Sequence, residues 1–259
     1  METETKAITG GSQTLMRGLD VIDAVAAGAI TLQHLSETLG LTRSTTHRLA
    51  ASLVERGYLG FAPREGYRLG PKLLTLGHLA QEQADIIQIA RPHLEALAHL
   101  TGDTVHLGVM EGDHALYLDK MPGKRRVTIS SRVGDRQPLT STGLGKALML
   151  DHSPKYWSER FELEHLDRQP HVGFDVWSGR MIEYVRTGRA FDLEENEDQI
   201  RCVAAPLRDA RDVIVGAISV SSAALYMSDD RMDELSNIVL ATAHAISRDL
   251  GCISFSKDD

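Results

Sequence analysis

Residues Thr31–Leu53 read TLQHLSETLGLTRSTTHRLAASL, and this stretch decides the fold of the N-terminal part. Leu32, Leu35 and Leu39 recur at i, i+3 and i+7 behind Thr31, which predicts a short helix capped by that threonine. Gly40-Leu41 makes the turn. Thr42 is the natural cap of a second helix running to about Val54. On a helical wheel Thr46, Leu49, Ala50 and Leu53 gather on one side, while Ser44, His47, Arg48, Ala51 and Ser52 take the other. A helix with one buried face and short polar groups plus arginine on the other suits the major groove, which admits an α-helix. The stretch is predicted to be a helix-turn-helix that binds duplex DNA.

The flanks extend this unit. Gln13–Ala26 is expected to be a first helix with Leu15, Leu19, Ile22 and Ala26 as its core stripe. Residues 57–61 and 66–69 read as two short strands joined by Ala62-Pro63-Arg64-Glu65, which completes a winged helix-turn-helix. Arg64 falls at the hairpin tip, where a wing meets the DNA backbone or minor groove. Within this unit Arg43, Ser44, Thr45, His47, Arg48 and Ser52 are the candidate contacts of the reading helix, and Arg64 and Arg68 those of the wing. Pro71 suits the first position of a further helix, whose pattern ends near Gln81–Asp85, a candidate linker and dimer contact. Pro92 is expected to open a helix closed by Thr101-Gly102.

From Asp103 the pattern turns strand-rich. Residues 104–110 and 115–120 flank Glu111-Gly112-Asp113, a hairpin signal. Arg126–Arg132 is expected to be a third strand, Gly143–Leu150 a helix after Ser141-Thr142, and 154–161 and 178–185 two more helices. Residues 199–207 and 213–221 read as a further strand pair, and Asp229–Leu250 as a closing helix. Mixed order around an antiparallel sheet predicts an α+β chain whose second part resembles a sensor.

Composition is that of a globular protein, 42% hydrophobic and 25% charged. METETKAITG lacks the basic start and apolar core of a signal peptide, so a cytoplasmic protein without membrane contact is expected. Cys202 and Cys252 form no close pair, which argues against a zinc ribbon or a disulfide framework. The net charge of −8 is unusual for a DNA binder. It is unevenly placed: residues 192–198, DLEENED, hold five acids, whereas arginines dominate 41–70. Because salt screens charge over about 10 Å, the local face matters more than the total.

No Walker loop, GxGxxG, GxSxG or HxxxH pair is present, so no cofactor, metal or catalytic site is expected. His106 and His114 are expected to approach one another across their hairpin in a structural role.

The chain as a whole resembles the IclR family of bacterial transcriptional regulators. GSQTLMRGLDVIDAV, LGLTRSTTHRLAASLVERGYL and YRLGPKLLTLG are similar to its N-terminal domain. PLTSTGLGKALML and FDLEENEDQIRCVAAPLRD are similar to two stretches of its effector-binding domain. The overall tone is nearest to members governing sugar-acid catabolism. The resemblance implies a tail over 1–11, a winged helix-turn-helix over 12–70, a linker helix over 71–88 and a PAS/GAF-like α/β effector-binding domain over 89–255. It further implies a homodimer or dimer of dimers on a palindromic operator, switched by a small organic acid, with repression as the expected sign. The pocket positions carried over are Gly143, Leu144, Asp192, Cys202, Ser219 and Ser221. Three positions depart from the family pattern: Gln199 stands where glycine is usual, Arg189 where an aromatic is usual, and Thr46 where valine is frequent.

Strand alternation agrees with the pocket reading. Ala217, Ser219 and Ser221 share one face of their strand, Cys202 and Ala204 one face of theirs, and a hairpin would cluster these small groups. The start of the 143–150 helix favours an anion, and Asp192 is better suited to a ligand hydroxyl than to a carboxylate. The same residues also fit packing roles: Asp192 as a turn cap, Cys202 as a small core residue, the serines as core filling. Two rival classes stand beside the regulator. One is a GAF-like cysteine redox enzyme, with Cys202 reactive and the DNA-binding head accessory; the other is a plain interaction module.

Overall fold

The computed structural model describes residues 10–126, 129–166 and 170–254. The chain divides between Ala84 and Asp85 into two compact units.

The first unit contains α1 (Gly10–Ala26), α2 (Leu32–Leu39), α3 (Arg43–Glu55), β1 (Leu59–Ala62), β2 (Gly66–Leu69) and α4 (Pro71–Gln83). The tail expected over 1–11 lies outside the described residues as far as residue 9, and α1 begins at Gly10. Thr31 caps α2 by accepting from the His34 amide at 3.2 Å, and Gly40 ends it in the left-handed region at φ 62°. Thr42 caps α3 by accepting from the Thr45 amide at 3.3 Å. Thr46 is fully buried, and its hydroxyl donates to the Thr42 carbonyl at 3.1 Å. A threonine can therefore replace valine there without an orphaned donor.

The core stripe expected on α1 is wrong. Leu15 and Leu19 are 64% and 46% exposed, and Val21, Ala24 and Val25 are the buried residues. Two apolar stripes run along this helix about 140° apart. The one bearing the smaller side chains faces α2 and α3, because it allows closer approach.

β1 and β2 form an antiparallel hairpin with Leu59 opposite Leu69 and Ala62 opposite Gly66. Gly66 has φ +86°, and a Cβ there would stand 2.2 Å from the Ile30 carbonyl oxygen, so only glycine fits. The helix expected over 71–88 stops at Gln83, and Asp85 caps a new one through bonds to the Ile87 and Gln88 amides.

The second unit runs α5 (Ile86–Thr101), β3 (Thr104–Glu111), β4 (His114–Met121), β5 (Arg136–Pro138), α6 (Gly143–Leu148), α7 (Pro154–Glu164), α8 (Phe174–Thr187), β6 (Ala190–Leu193), β7 (Ile200–Arg208), β8 (Ile214–Ala223) and α9 (Asp229–Asp249). Pro92 lies inside α5 rather than opening it. The isoleucines before it pack on the core, so the helix extends upstream to Asp85. The sheet order is β5-β4-β3-β8-β7-β6 with antiparallel neighbours throughout. One sheet face, including Val105, Leu107, Val203, Ala205, Ile218 and Val220, packs with α5 and α9. The other, including Tyr117, Cys202, Ala204 and Ala217, packs with α6 and with the tryptophans of α7 and α8.

The strand expected at 126–132 is also wrong. Val127 and Thr128 lie outside the described residues, and 129–132 pair with no strand; β5 at 136–138 takes the edge beside β4 instead. Side chains hold the 129–131 segment: Lys120 Nζ donates to the Ile129 and Ser131 carbonyls at 2.7 and 2.6 Å, and His106 Nε2 lies 2.7 Å from the Ser131 hydroxyl. His106 and His114 do not approach across the hairpin, for the register sets them opposite Lys120 and Glu111.

Candidate functional site

In the first unit, α3 presents its polar face outward. Arg43, Ser44, His47, Arg48 and Ser52 are exposed and Thr45 is half-buried. Arg43 is steadied by Gln33 of α2 at 3.1 Å, and the Ser52 hydroxyl donates to the Arg48 carbonyl at 3.1 Å. Arg64 is exposed in the turn between β1 and β2, and the Arg68 side chain lies across Gly60. Buried Thr46 and Ala50 hold the opposite side of α3 against the core. Arg43, Arg48, Arg64 and Arg68 are therefore exposed on one compact unit with a helix whose outer face is polar.

In the second unit a cavity of about 100 Å³ opens beside the start of α6. Asp192, Cys202 and Ser221 stand in one row across β6, β7 and β8 as direct register partners, and all three line the cavity. Gly143 joins them; a Cβ there would meet Cys202 Sγ at 2.7 Å and the Asp192 amide nitrogen at 3.1 Å. Four of the six residues carried over from the family are thus brought to one place. The other two are not. Leu144, next to Gly143 in sequence, is fully buried and packs over Gly108. Ser219 lies in the adjacent register row, opposite His106 and Ala204, outside the lining.

The sequence reading missed much of the remaining wall, which includes Tyr117, Asp135, Gln137 and Asn196 together with His106 and Ser131. Alternation along β4 could have turned Tyr117 to the same face as Ala115. Nothing local signals Asp135 or Gln137, because the pattern places their segment beyond a strand that does not form.

The charges behind this wall are tightly engaged. Lys146 of α6 is 1% exposed; its ammonium donates to the Phe191 carbonyl at 2.9 Å and pairs with Glu195, which also pairs with Arg180. Burial pulls Lys146 down and Asp192 opposes that; burial pushes Asp192 up and Lys146 opposes that. Asp192 Oδ1 accepts from the Glu195 and Asn196 amides at 2.8 and 3.4 Å, so this carboxylate caps a turn and lines the cavity at once. Burial, with Asp192 second, pushes the Cys202 thiol up to about 12. Burial and then Lys120 pull the His106 imidazole down to about 3, which keeps it neutral. Gln199, in the glycine position of the family pattern, has φ +61°. Arg189 lies over the Phe191 ring at 5.5 Å. Among the described residues no group of three or more His, Cys, Asp or Glu could hold a metal ion, and no helix is long and apolar enough to cross a membrane.

The family model for the IclR helix-turn-helix domain matches residues 14–63, and that for the bacterial transcriptional regulator IclR C-terminal domain matches residues 78–248. The chain belongs to the IclR family. It is 34% identical over 257 residues to the DNA-binding transcriptional repressor YiaJ of Escherichia coli K12, covering 96% of this chain and 91% of that one. It is 31% identical over 251 residues to the transcriptional regulator XynR of the same organism, covering 92% and 97%. The crystal structure of Pseudomonas aeruginosa HmgR has the same fold, with a TM-score of 0.82 over 93% of this chain and 99% of that one at 22% identity.

As an IclR-family member the protein is a DNA-binding transcriptional regulator. Its relatives are transcriptional regulators, not enzymes. The cysteine redox reading falls with that, and the thiol agrees: pushed to about 12, Cys202 carries almost no thiolate near neutral pH.

Proposed function

We propose that this protein is a repressor whose affinity for a palindromic operator is set by a small hydroxylated or keto acid bound in the cavity of the second unit. The convergence of Gly143, Asp192, Cys202 and Ser221 carries this reading: residues from four elements, α6, β6, β7 and β8, meet on one polar void. Small side chains there leave volume, and hydroxyls offer adaptable hydrogen bonds. In the first unit Arg48, Ser44 and His47 read bases, while Arg43, Arg64 and Arg68 hold phosphates, with Thr45 and Ser52 at the margins of the contact. A homodimer or dimer of dimers presents two reading helices to successive major grooves about 34 Å apart. Ligand binding changes operator affinity by a coupling of about 1–3 kcal/mol. That YiaJ is a repressor supports the sign of regulation.

The test is a gel-shift titration on the DNA upstream of the protein's own gene, with a scrambled duplex as control. Arg48→Ala is expected to weaken specific binding by about 1–3 kcal/mol and leave the scrambled duplex little changed. A panel of hydroxy and keto acids is then added, and at least one must shift the midpoint. Unchanged affinity of the Arg48 variant for both duplexes removes Arg48 from the reading face, and a midpoint no acid moves removes the ligand switch.

A further inference from the structure

Tyr117 of β4 is 8% exposed, and its ring stacks on His106 with centroids 4.7 Å apart. It lines the cavity, and its hydroxyl has no hydrogen-bond partner among the described residues. Burial, the Cys202 thiol and the carboxylates of Asp192, Asp135 and Glu197 all push that hydroxyl up, so it stays a donor. The lining holds those three carboxylates and the amides of Gln137 and Asn196, and among the described residues no lysine or arginine. Asp192 Oδ1 is engaged by two backbone amides, which leaves its Oδ2 available. Asn196 Oδ1 accepts from Ser141 at 3.0 Å, which leaves its NH₂ available. The cavity therefore offers the Tyr117 hydroxyl and the Asn196 amide as donors, and carboxylate oxygens as acceptors suited to ligand hydroxyls.

We infer that Tyr117 anchors the ligand in this cavity, and that Asp135 and Asp192 restrict it to a monocarboxylate bearing hydroxyl groups. The inference rests on the reading that this cavity holds the switching ligand. A ligand hydroxyl oxygen accepts from Tyr117, the ligand carboxylate accepts from the Asn196 amide, and ligand hydroxyls donate to Asp192 Oδ2 and to Asp135. A second carboxylate has no cation in the lining to meet it and would face fixed acids, which rejects dicarboxylates. An acid without hydroxyls fits the volume but leaves buried acceptors unpaired, and such sites discriminate strongly against the analogue lacking the group.

Isothermal titration of the full-length protein with threonate, butyrate and succinate tests this on matched four-carbon skeletons. Threonate is expected to bind about tenfold or more tighter than butyrate, and succinate weakest. Tyr117→Phe keeps the ring on His106 and removes only the hydroxyl; it should cost about tenfold for threonate and under about twofold for butyrate. Its thermal midpoint reports that the variant is folded. Cys202→Leu, or Ser221→Val if that fails to fold, fills the cavity and separates the two levels of the argument. If Tyr117→Phe binds threonate like wild type while the filled variant does not, the role of Tyr117 falls and the cavity stands. If the filled variant also binds like wild type, the cavity reading falls as well. Butyrate or succinate binding as tightly as threonate, or no binding of any of the three, overturns the inference.

Discussion

Replacing Gly143 with alanine probes the floor of the cavity at a single atom. The new Cβ would stand 2.7 Å from Cys202 Sγ and 3.1 Å from the Asp192 amide nitrogen. The first distance is about 1 Å inside van der Waals contact. The thiol is buried in a paired strand, so relief requires moving α6 or β7. Overpacking of this kind costs about 1–3 kcal/mol, and alanine in the first turn of a helix returns about 0.5–1 kcal/mol. The net loss is about 1–2 kcal/mol, or roughly 3–6 °C in the melting midpoint of a domain this size. Differential scanning calorimetry of Gly143→Ala, Cys202→Ala and the double variant measures it. Because Cys202→Ala removes the sulfur the methyl strikes, the double variant should be more stable than the two single losses predict, by about 1 kcal/mol or more. Strictly additive losses would show that Gly143 and Cys202 do not share the cavity floor.

Other positions give independent checks. Lys146→Met removes a buried cation from Glu195 and should cost about 3–5 kcal/mol in urea unfolding, with much of that recovered in a double variant with Glu195→Gln; an unchanged midpoint would mean that Lys146 is not charged when buried. His106 has an ordinary value of 6.5 and a folded value of about 3, so folding favours its neutral form. The stability it contributes is complete above 6.5 and lost as pH falls toward 3, on the order of 2 kcal/mol between pH 7 and 5, and His106→Gln should flatten that slope. An equal slope in the variant would assign the effect to other groups. Gln199→Gly relieves a side chain held at φ +61° and should raise stability by about 1 kcal/mol, whereas a loss would show that the glutamine makes compensating contacts.

What was legible in the sequence was local. Thr31, Gly40 and Thr42 each act on the backbone within a few residues of themselves, so caps and apolar phase placed α2 and α3 without any knowledge of the rest of the chain. The alternation in β7 and β8 likewise sorted Cys202 and Ser221 from Val203 and Val220, because side-chain direction in a strand is fixed by parity. Where a segment carried two compatible patterns, sequence could not choose. In α1 the stripe through Leu15 and Leu19 is as apolar as the one through Val21 and Val25, and only close packing against α2 and α3 selects the second. Adjacency also misled: Gly143 reaches the cavity while Leu144, one residue on, turns about 100° away into the core.

The chemistry of the cavity was decided by the tertiary structure. Register across β6, β7 and β8 aligns Asp192, Cys202 and Ser221, and Lys120, reaching from β4 to backbone carbonyls, fixes 129–131 as a wall. Tyr117, Asp135 and Lys146 acquire their roles only from what surrounds them. Their protonation and hydrogen bonding depend on burial and on charges far away in the chain, and neither quantity exists until the chain has folded.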